Sequence, residues 1–252
     1  RETKRYSLPL AALIITYVVM WIGGVAHYIL AGGPPMDAPW AASVFLFLAG
    51  LIVAVTSAKK DLAGLFLAAG LGFLAELLGV HFGFIFSPYS YTSVLQPQLA
   101  GVPLVMICAW LVLVAYVRQM LAGLNLAVWM EAALAAAWMT AIDLVIDPLA
   151  ANQLGYWRWQ QTGAYYGIPL HNFIGWFVAS LIIFVVVNRR WQENVFARYV
   201  GLSIVLFFST IALSYGLLGA ACVGVTLCLV HLALVKPVKS WARFRLRQGS
   251  QT

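Results

Sequence analysis

The sequence predicts an all-α polytopic membrane protein of about eight transmembrane helices with a parallel internal repeat, and three observations predict it. Hydrophobic residues make up 63% of the 252 positions and charged residues only 9%, where a soluble domain carries roughly 25% charged. The apolar residues come in runs of about 20, long enough to cross a roughly 30 Å hydrocarbon core as helices, whereas barrel strands would alternate over about 10 residues. Basic residues gather in short clusters at the ends of these runs, where the positive-inside rule puts them. The net charge of +7 therefore reads as topology and not as a nucleic-acid surface.

Taken in order, the expected spans are 8 to 30, 40 to 57, 62 to 80, 102 to 120, 125 to 147, 169 to 188, 199 to 214 and 216 to 235. The first follows Arg1, Lys4 and Arg5 as a signal peptide would, but it is too long and lacks a small-residue cleavage site, so it reads as a span. The last two are separated at Tyr215 and Gly216, because one helix of their joint length would be about 55 Å long. With these boundaries, 14 of the 15 Lys and Arg fall on one side and only Arg158 on the other. Both termini are then cytoplasmic, in a cell inner membrane crossed many times. The basic tail 236–252 is expected to lie against anionic lipid headgroups. Cys108, Cys222 and Cys228 sit inside apolar runs without metal-ligand spacing and read as small buried thiols.

A single transmembrane domain over 1–252 contains the repeat. At an offset of 66, Gly101-Val-Pro-Leu104 matches Gly167-Ile-Pro-Leu170, Trp110 matches Trp176, and Tyr89-Ser-Tyr91 falls opposite Gly155-Tyr-Trp157. The halves run from about 62 to 122 and from 125 to 188, and their polar ends share the non-cytoplasmic side. Two half-sites facing each other there would make one pocket.

The chemistry should lie between Asp143 and Trp176, where two acids one helical turn apart precede Pro148, which is expected to end the fifth helix. An acid inside a bilayer costs several kcal/mol unless paired or protonated, so it marks function by default. Asp143 and Asp147 share one helix face, and in a low dielectric they cannot both ionise cheaply, so at least one holds a proton and is a standing general acid. The alternative is a helix end solvated by interfacial water. Of this pair Asp147 is expected to be the donor, because it lies at the helix end beside the aromatic loop, while Asp143 is a turn deeper and keeps the shared proton. Glu76 is the group expected across the pocket. Glu131, roughly 18 Å below Asp143 along its helix, reads as a packing residue near the cytoplasmic edge. His81 and His171 lie on the acidic side and could relay protons or hold water; His171 opens the sixth helix together with Asn172 and Trp176. Tyr89, Tyr91, Tyr156, Trp157, Trp159, Tyr165 and Tyr166 crowd two outer loops, either as an interfacial belt or as faces that stabilise a cation.

Four scattered histidines exclude the His-cluster di-iron oxygenases. Asp143 and Asp147 have the DxxxD spacing of intramembrane prenyltransferases, but a second such motif and basic phosphate ligands are missing. Nucleotide and flavin motifs are absent.

On Glu76 with Gly79 and Phe82-Gly83, Tyr89-Ser-Tyr91, Gly101-Val-Pro103 with Trp110, and Asp143 through Trp176, the sequence resembles the carotenoid biosynthesis membrane proteins that include the CruF-type carotenoid 1,2-hydratases. The resemblance covers about 100 residues. It implies a lyase of the hydro-lyase class that adds water to the terminal double bond of an acyclic carotenoid. It needs no metal and no cofactor. Asp147, Asp143 and Glu76 would be catalytic, and Tyr89, Tyr91, Trp110, Trp157, Trp159, Tyr165, Tyr166, His81, His171, Asn172 and Trp176 would line the substrate. The implied partners are a carotenoid dissolved in the bilayer, membrane lipids and other carotenoid pathway enzymes, with no nucleic acid. The competing readings are a carotenoid end-group cyclase, an intramembrane prenyltransferase and a proton-coupled lipid carrier.

Overall fold

The computed structural model describes residues 8–33, 38–124, 126–188 and 191–234. Among them are eight α-helices: α1 (Leu8–Ala31), α2 (Ala41–Thr56), α3 (Lys59–Phe82), α4 (Met106–Leu121), α5 (Val128–Asn152), α6 (Leu170–Val186), α7 (Val195–Ser214) and α8 (Leu218–Leu234). α1, α3, α5 and α7 are long and apolar enough to cross a membrane, and the other four are apolar helices of 16 or 17 residues. The chain is a multi-pass membrane protein. The N-terminal Arg1, Lys4 and Arg5, the pair Arg189 and Arg190, and the basic tail 236–252 lie outside the described residues.

α4 is the hub. Between Trp110 and Leu121 every residue of it is buried, the pattern of a helix surrounded by protein on all sides. α2, α3, α5 and α7 pack around it. α1 is the opposite case, burying only Tyr17 and Tyr28 and turning Ile15, Val19 and Ile22 outward, where lipid would meet them.

A 16-residue helix spans only about 24 Å, less than the hydrocarbon core. At the N-terminal ends of α4 and α6 the difference is filled by folded segments whose apolar side chains, Phe86, Leu95, Val102 and Ile168, are as buried as the helices' own. Non-helical backbone is tolerated at such depth only where protein covers it. Here two short antiparallel pairings satisfy part of it: β1 (Tyr89–Tyr91) with β4 (Trp157–Trp159), and β2 (Gln98–Leu99) with β3 (Val102–Pro103). The second pairing is why α4 starts at Met106 and not at 102. α7 in turn starts at Val195 and not at 199, because the Asn194 side chain accepts from the Ala197 N–H at 3.1 Å and caps the helix there.

Pro148 does not end α5; the helix runs on to Asn152. A helical proline leaves the carbonyl four residues earlier without its N–H donor. That carbonyl, on Leu144, is taken by the Tyr165 hydroxyl at 3.0 Å. Burial, with Tyr166 beside it, pushes the Tyr165 phenol up to about 12, so it stays a donor at physiological pH. Tyr165→Phe is expected to cost about 1 kcal/mol, read as a Tm lower by a few degrees in detergent.

At the C-terminal end of α4, Arg118 meets Glu131 at 2.7 Å and donates to the Phe184 and Val187 carbonyls at 2.9 and 2.8 Å. The pair ties α4 to α5 and α6, about 18 Å along α5 from Asp143, in keeping with a packing role for Glu131. Glu131→Ala should lower stability by about 1.5–3 kcal/mol, the worth of a charge-assisted hydrogen bond, which denaturation in detergent checks.

Three buried carboxyls under paired aromatic strands

Glu76, Asp143 and Asp147 are all buried, at 3%, 3% and 0% exposure, and each has a different set of donors. Glu76, in the C-terminal half of α3, accepts from the Tyr89 and Tyr91 hydroxyls on Oε2 at 2.5 and 2.9 Å and from the Trp110 indole on Oε1 at 3.1 Å. Asp147 accepts from the indoles of Trp157 and Trp159 on Oδ1 at 2.7 and 3.2 Å. Its Oδ2 accepts from the Asn172 amide at 2.7 Å, and the same amide nitrogen donates to Asp143 Oδ2 at 2.8 Å. Among the described residues Asn172 is the one donor to Asp143.

The strands explain how so many rings reach two carboxyls. Alternate residues of a strand point to one face, so Tyr89 and Tyr91 of β1 and Trp157 and Trp159 of β4 all point inward from the pair. Ser90 and Arg158, opposite each other, are the outward pair and are exposed. Cross-strand ring contacts fix the set, with centroids 5.1 Å apart for Tyr89–Trp159 and 5.8 Å for Tyr91–Trp157. Beneath it Trp110 stacks on Trp176 at 4.5 Å. Burial and then the Glu76 carboxylate hold the Tyr89 and Tyr91 phenols well above the usual range, so both remain O–H donors.

Two glycines permit the close approach. A Cβ on Gly72 would stand 2.2 Å from the Trp110 ring, and one on Gly79 would stand 2.6 Å from Phe86 and 3.2 Å from Tyr89. Any side chain at Gly72 would push Trp110 off Glu76. Gly79, one turn beyond Glu76, lets the chain fold back so that Tyr89 reaches the carboxyl.

Two cavities meet at this site. A niche of about 20 Å³ lies between Glu76 and Asp147, walled by Tyr89, Tyr91, Trp159 and Asn172; that is room for about one water. On the other side of Met106, Trp157 and Trp176, which line both, is an apolar cavity of about 60 Å³ reached by Asp143 and walled by Leu113, Ile146, Tyr156 and Phe208. Among the described residues, Asp143 is the one carboxyl in its lining.

The remaining expected site residues lie elsewhere. His81 is exposed, and His171 is exposed with its Nε2 3.0 Å from the Phe84 carbonyl. Tyr165 braces α5, and Tyr166 accepts from the Gly219 N–H at 2.8 Å, joining the loop to α8. Sequence reasoning missed Tyr156 as a cavity wall, along with Leu46, Met106 and Phe208. An apolar residue on an apolar helix looks the same whether it faces lipid or a cavity, so only Tyr156, inside the aromatic loop, carried a signal.

A multi-pass helical bundle with a buried, donor-rich carboxyl centre beside an apolar cavity is the class of membrane protein these elements define. The chain belongs to the carotenoid biosynthesis protein family, whose model matches residues 40–231. That range takes in the three carboxyls, their ring donors and the walls of both cavities. No curated protein and no solved structure matches the chain.

Proposed function

We propose that the protein is a carotenoid hydratase that adds water across the terminal trisubstituted double bond of an acyclic carotenoid end group, with Asp143 as the acid and the Glu76–Asp147 niche as the water site. The observation that carries this reading is the unequal donor supply to the three carboxyls. Glu76 and Asp147 each receive three N–H or O–H donors and serve as acceptors, while Asp143 shares one amide and faces the apolar cavity. This assigns the proton to Asp143 in place of Asp147, the donor expected from the sequence.

The Asp143 proton goes to the less substituted alkene carbon; the π electrons form the new C–H bond and leave a tertiary cation. The faces of Trp157, Trp176, Tyr156 and Phe208 around the cavity stabilise that cation. A water lone pair from the niche then forms the C–O bond, the surplus proton goes to Asp147, and one proton transfer between the two aspartates restores the starting state. General acid catalysis and preorganised dipoles supply the rate. The family supports a carotenoid substrate.

Two further readings accompany this one. The pairing of β1 with β4 about Ser90 and Arg158, and the stacking of Trp110 on Trp176, are what two facing copies of one unit would produce. The strands correspond two residues beyond the offset of the Gly-Val-Pro and Gly-Ile-Pro motifs. We also take both termini as cytoplasmic, on the charge split.

The test is incubation of the purified protein in lipid vesicles with an acyclic carotenoid in ¹⁸O-labelled water. A product heavier by one labelled water is expected, formed without oxygen or reductant. Isomerised or cyclised product of unchanged mass would replace the hydratase by a cyclase, and label from molecular oxygen would make it an oxygenase.

A further inference from the structure

The 60 Å³ cavity at Asp143 holds only the end of a long substrate, and a second apolar chamber continues from it. This one, of about 270 Å³, lies between α1, α2 and α7 on the outer side. Leu46, Tyr156 and Phe208 line both chambers and form the neck between them. Its lining combines small residues, Gly24 on α1 with Ala41 and Ala42 on α2, and the rings of Tyr28, Phe45 and Phe207. A slot of that shape and chemistry fits a flat conjugated chain.

The chamber borders the helix with the least cover. Near its middle α1 is fastened to α7, where the Tyr17 hydroxyl meets the Ser203 hydroxyl at 2.8 Å and the Trp21 indole donates to the Ser203 carbonyl at 2.8 Å. Beyond Trp21, Gly24 lies against the Phe207 ring, and the Tyr28 hydroxyl is hydrogen-bonded to that of Tyr156 beside the neck.

We propose that the α1–α2–α7 chamber is the slot for the polyene chain of the substrate, which passes sideways from the bilayer beside α1, and that the Leu46–Tyr156–Phe208 neck admits a narrow acyclic end to Asp143 while stopping a ring. The proposal rests on the hydratase reading for what happens at Asp143, but not for where the chain binds. A substrate with one cyclic and one acyclic end would be turned over at the acyclic end alone.

The experiment fills the slot. Ala42→Trp and the milder Ala42→Leu place bulk in its lining, and Ile15→Trp, on the lipid-facing side of α1, serves as the control. Binding of a linear C40 polyene to the purified protein in detergent is followed by its induced circular dichroism. Hydration is followed for the C40 polyene and for a ten-carbon alkene with the same end group. Weaker polyene binding in the order Ala42→Leu then Ala42→Trp, with wild-type binding for Ile15→Trp, is expected. So is a drop of tenfold or more in the ratio of long- to short-substrate turnover in Ala42→Trp. Wild-type polyene binding by folded Ala42→Trp would overturn the slot whether or not the protein is a hydratase. Loss of binding in that variant from a protein that hydrates neither substrate would keep the slot and remove the proposed reaction.

Discussion

Asp143→Asn should abolish hydration while the protein stays folded, with turnover falling by about 10² to 10⁴, the range that a positioned general acid contributes. The substitution keeps the side-chain shape and an acceptor for the Asn172 amide, so the bridge between α5 and α6 survives. What is lost is, among the described residues, the carboxyl that lines the apolar cavity. The Tyr89, Tyr91, Trp110, Trp157 and Trp159 hydrogens are committed to Glu76 or Asp147, and the Tyr156 hydroxyl is paired with Tyr28. Product analysis by mass, with the fold checked by thermal unfolding, decides it. Wild-type turnover from a well-folded Asp143→Asn protein would return the proton to Asp147 or Glu76.

How far such a site can be read from sequence depends on whether a residue is unusual for its surroundings. Glu76, Asp143 and Asp147 stood out because carboxyls are costly in hydrocarbon, and the structure brings all three under the same pair of strands. The eight helices were legible for the mirror-image reason, that apolar runs of that length have few other uses. What fails is partner choice. Nothing in the spacing separates Trp157 and Trp159, which donate to Asp147, from Tyr165 and Tyr166, which brace α5 and α8. The difference is made by strand register, and that depends on a pairing between segments nearly seventy residues apart. Pro148 misleads in the same way: the rule that proline ends a helix assumes that nobody else takes the orphaned carbonyl, and Tyr165 takes it. Asn172 was visible as a polar residue opening α6, but its use as a single amide bridging two acids required α5 and α6 to be placed side by side.

Asp147→Asn should leave protonation working and damage water capture, so its signature is a change of product and not a loss of chemistry. In the niche, Oδ1 of Asp147 is filled by two indoles and Oδ2 by one amide hydrogen, which leaves a lone pair on Oδ2 to hold a water and receive its proton. An amide at this position puts an N–H in place of one of those oxygens. Either it faces the Trp157 and Trp159 indoles or it faces the Asn172 amide, and in both cases two donors collide. The cation formed by Asp143 then has no water positioned beside it and returns a proton from an adjacent methyl carbon. In D₂O each such cycle exchanges hydrogen: deuterium should build up in the terminal group of recovered substrate, or of its double-bond isomer, while hydrated product falls by tenfold or more. Asp143→Asn under the same conditions should show neither deuterium nor hydrate. Equal loss of both signals in a folded Asp147→Asn protein would mean that the two aspartates deliver the proton together, and the division of labour between cavity and niche would not stand.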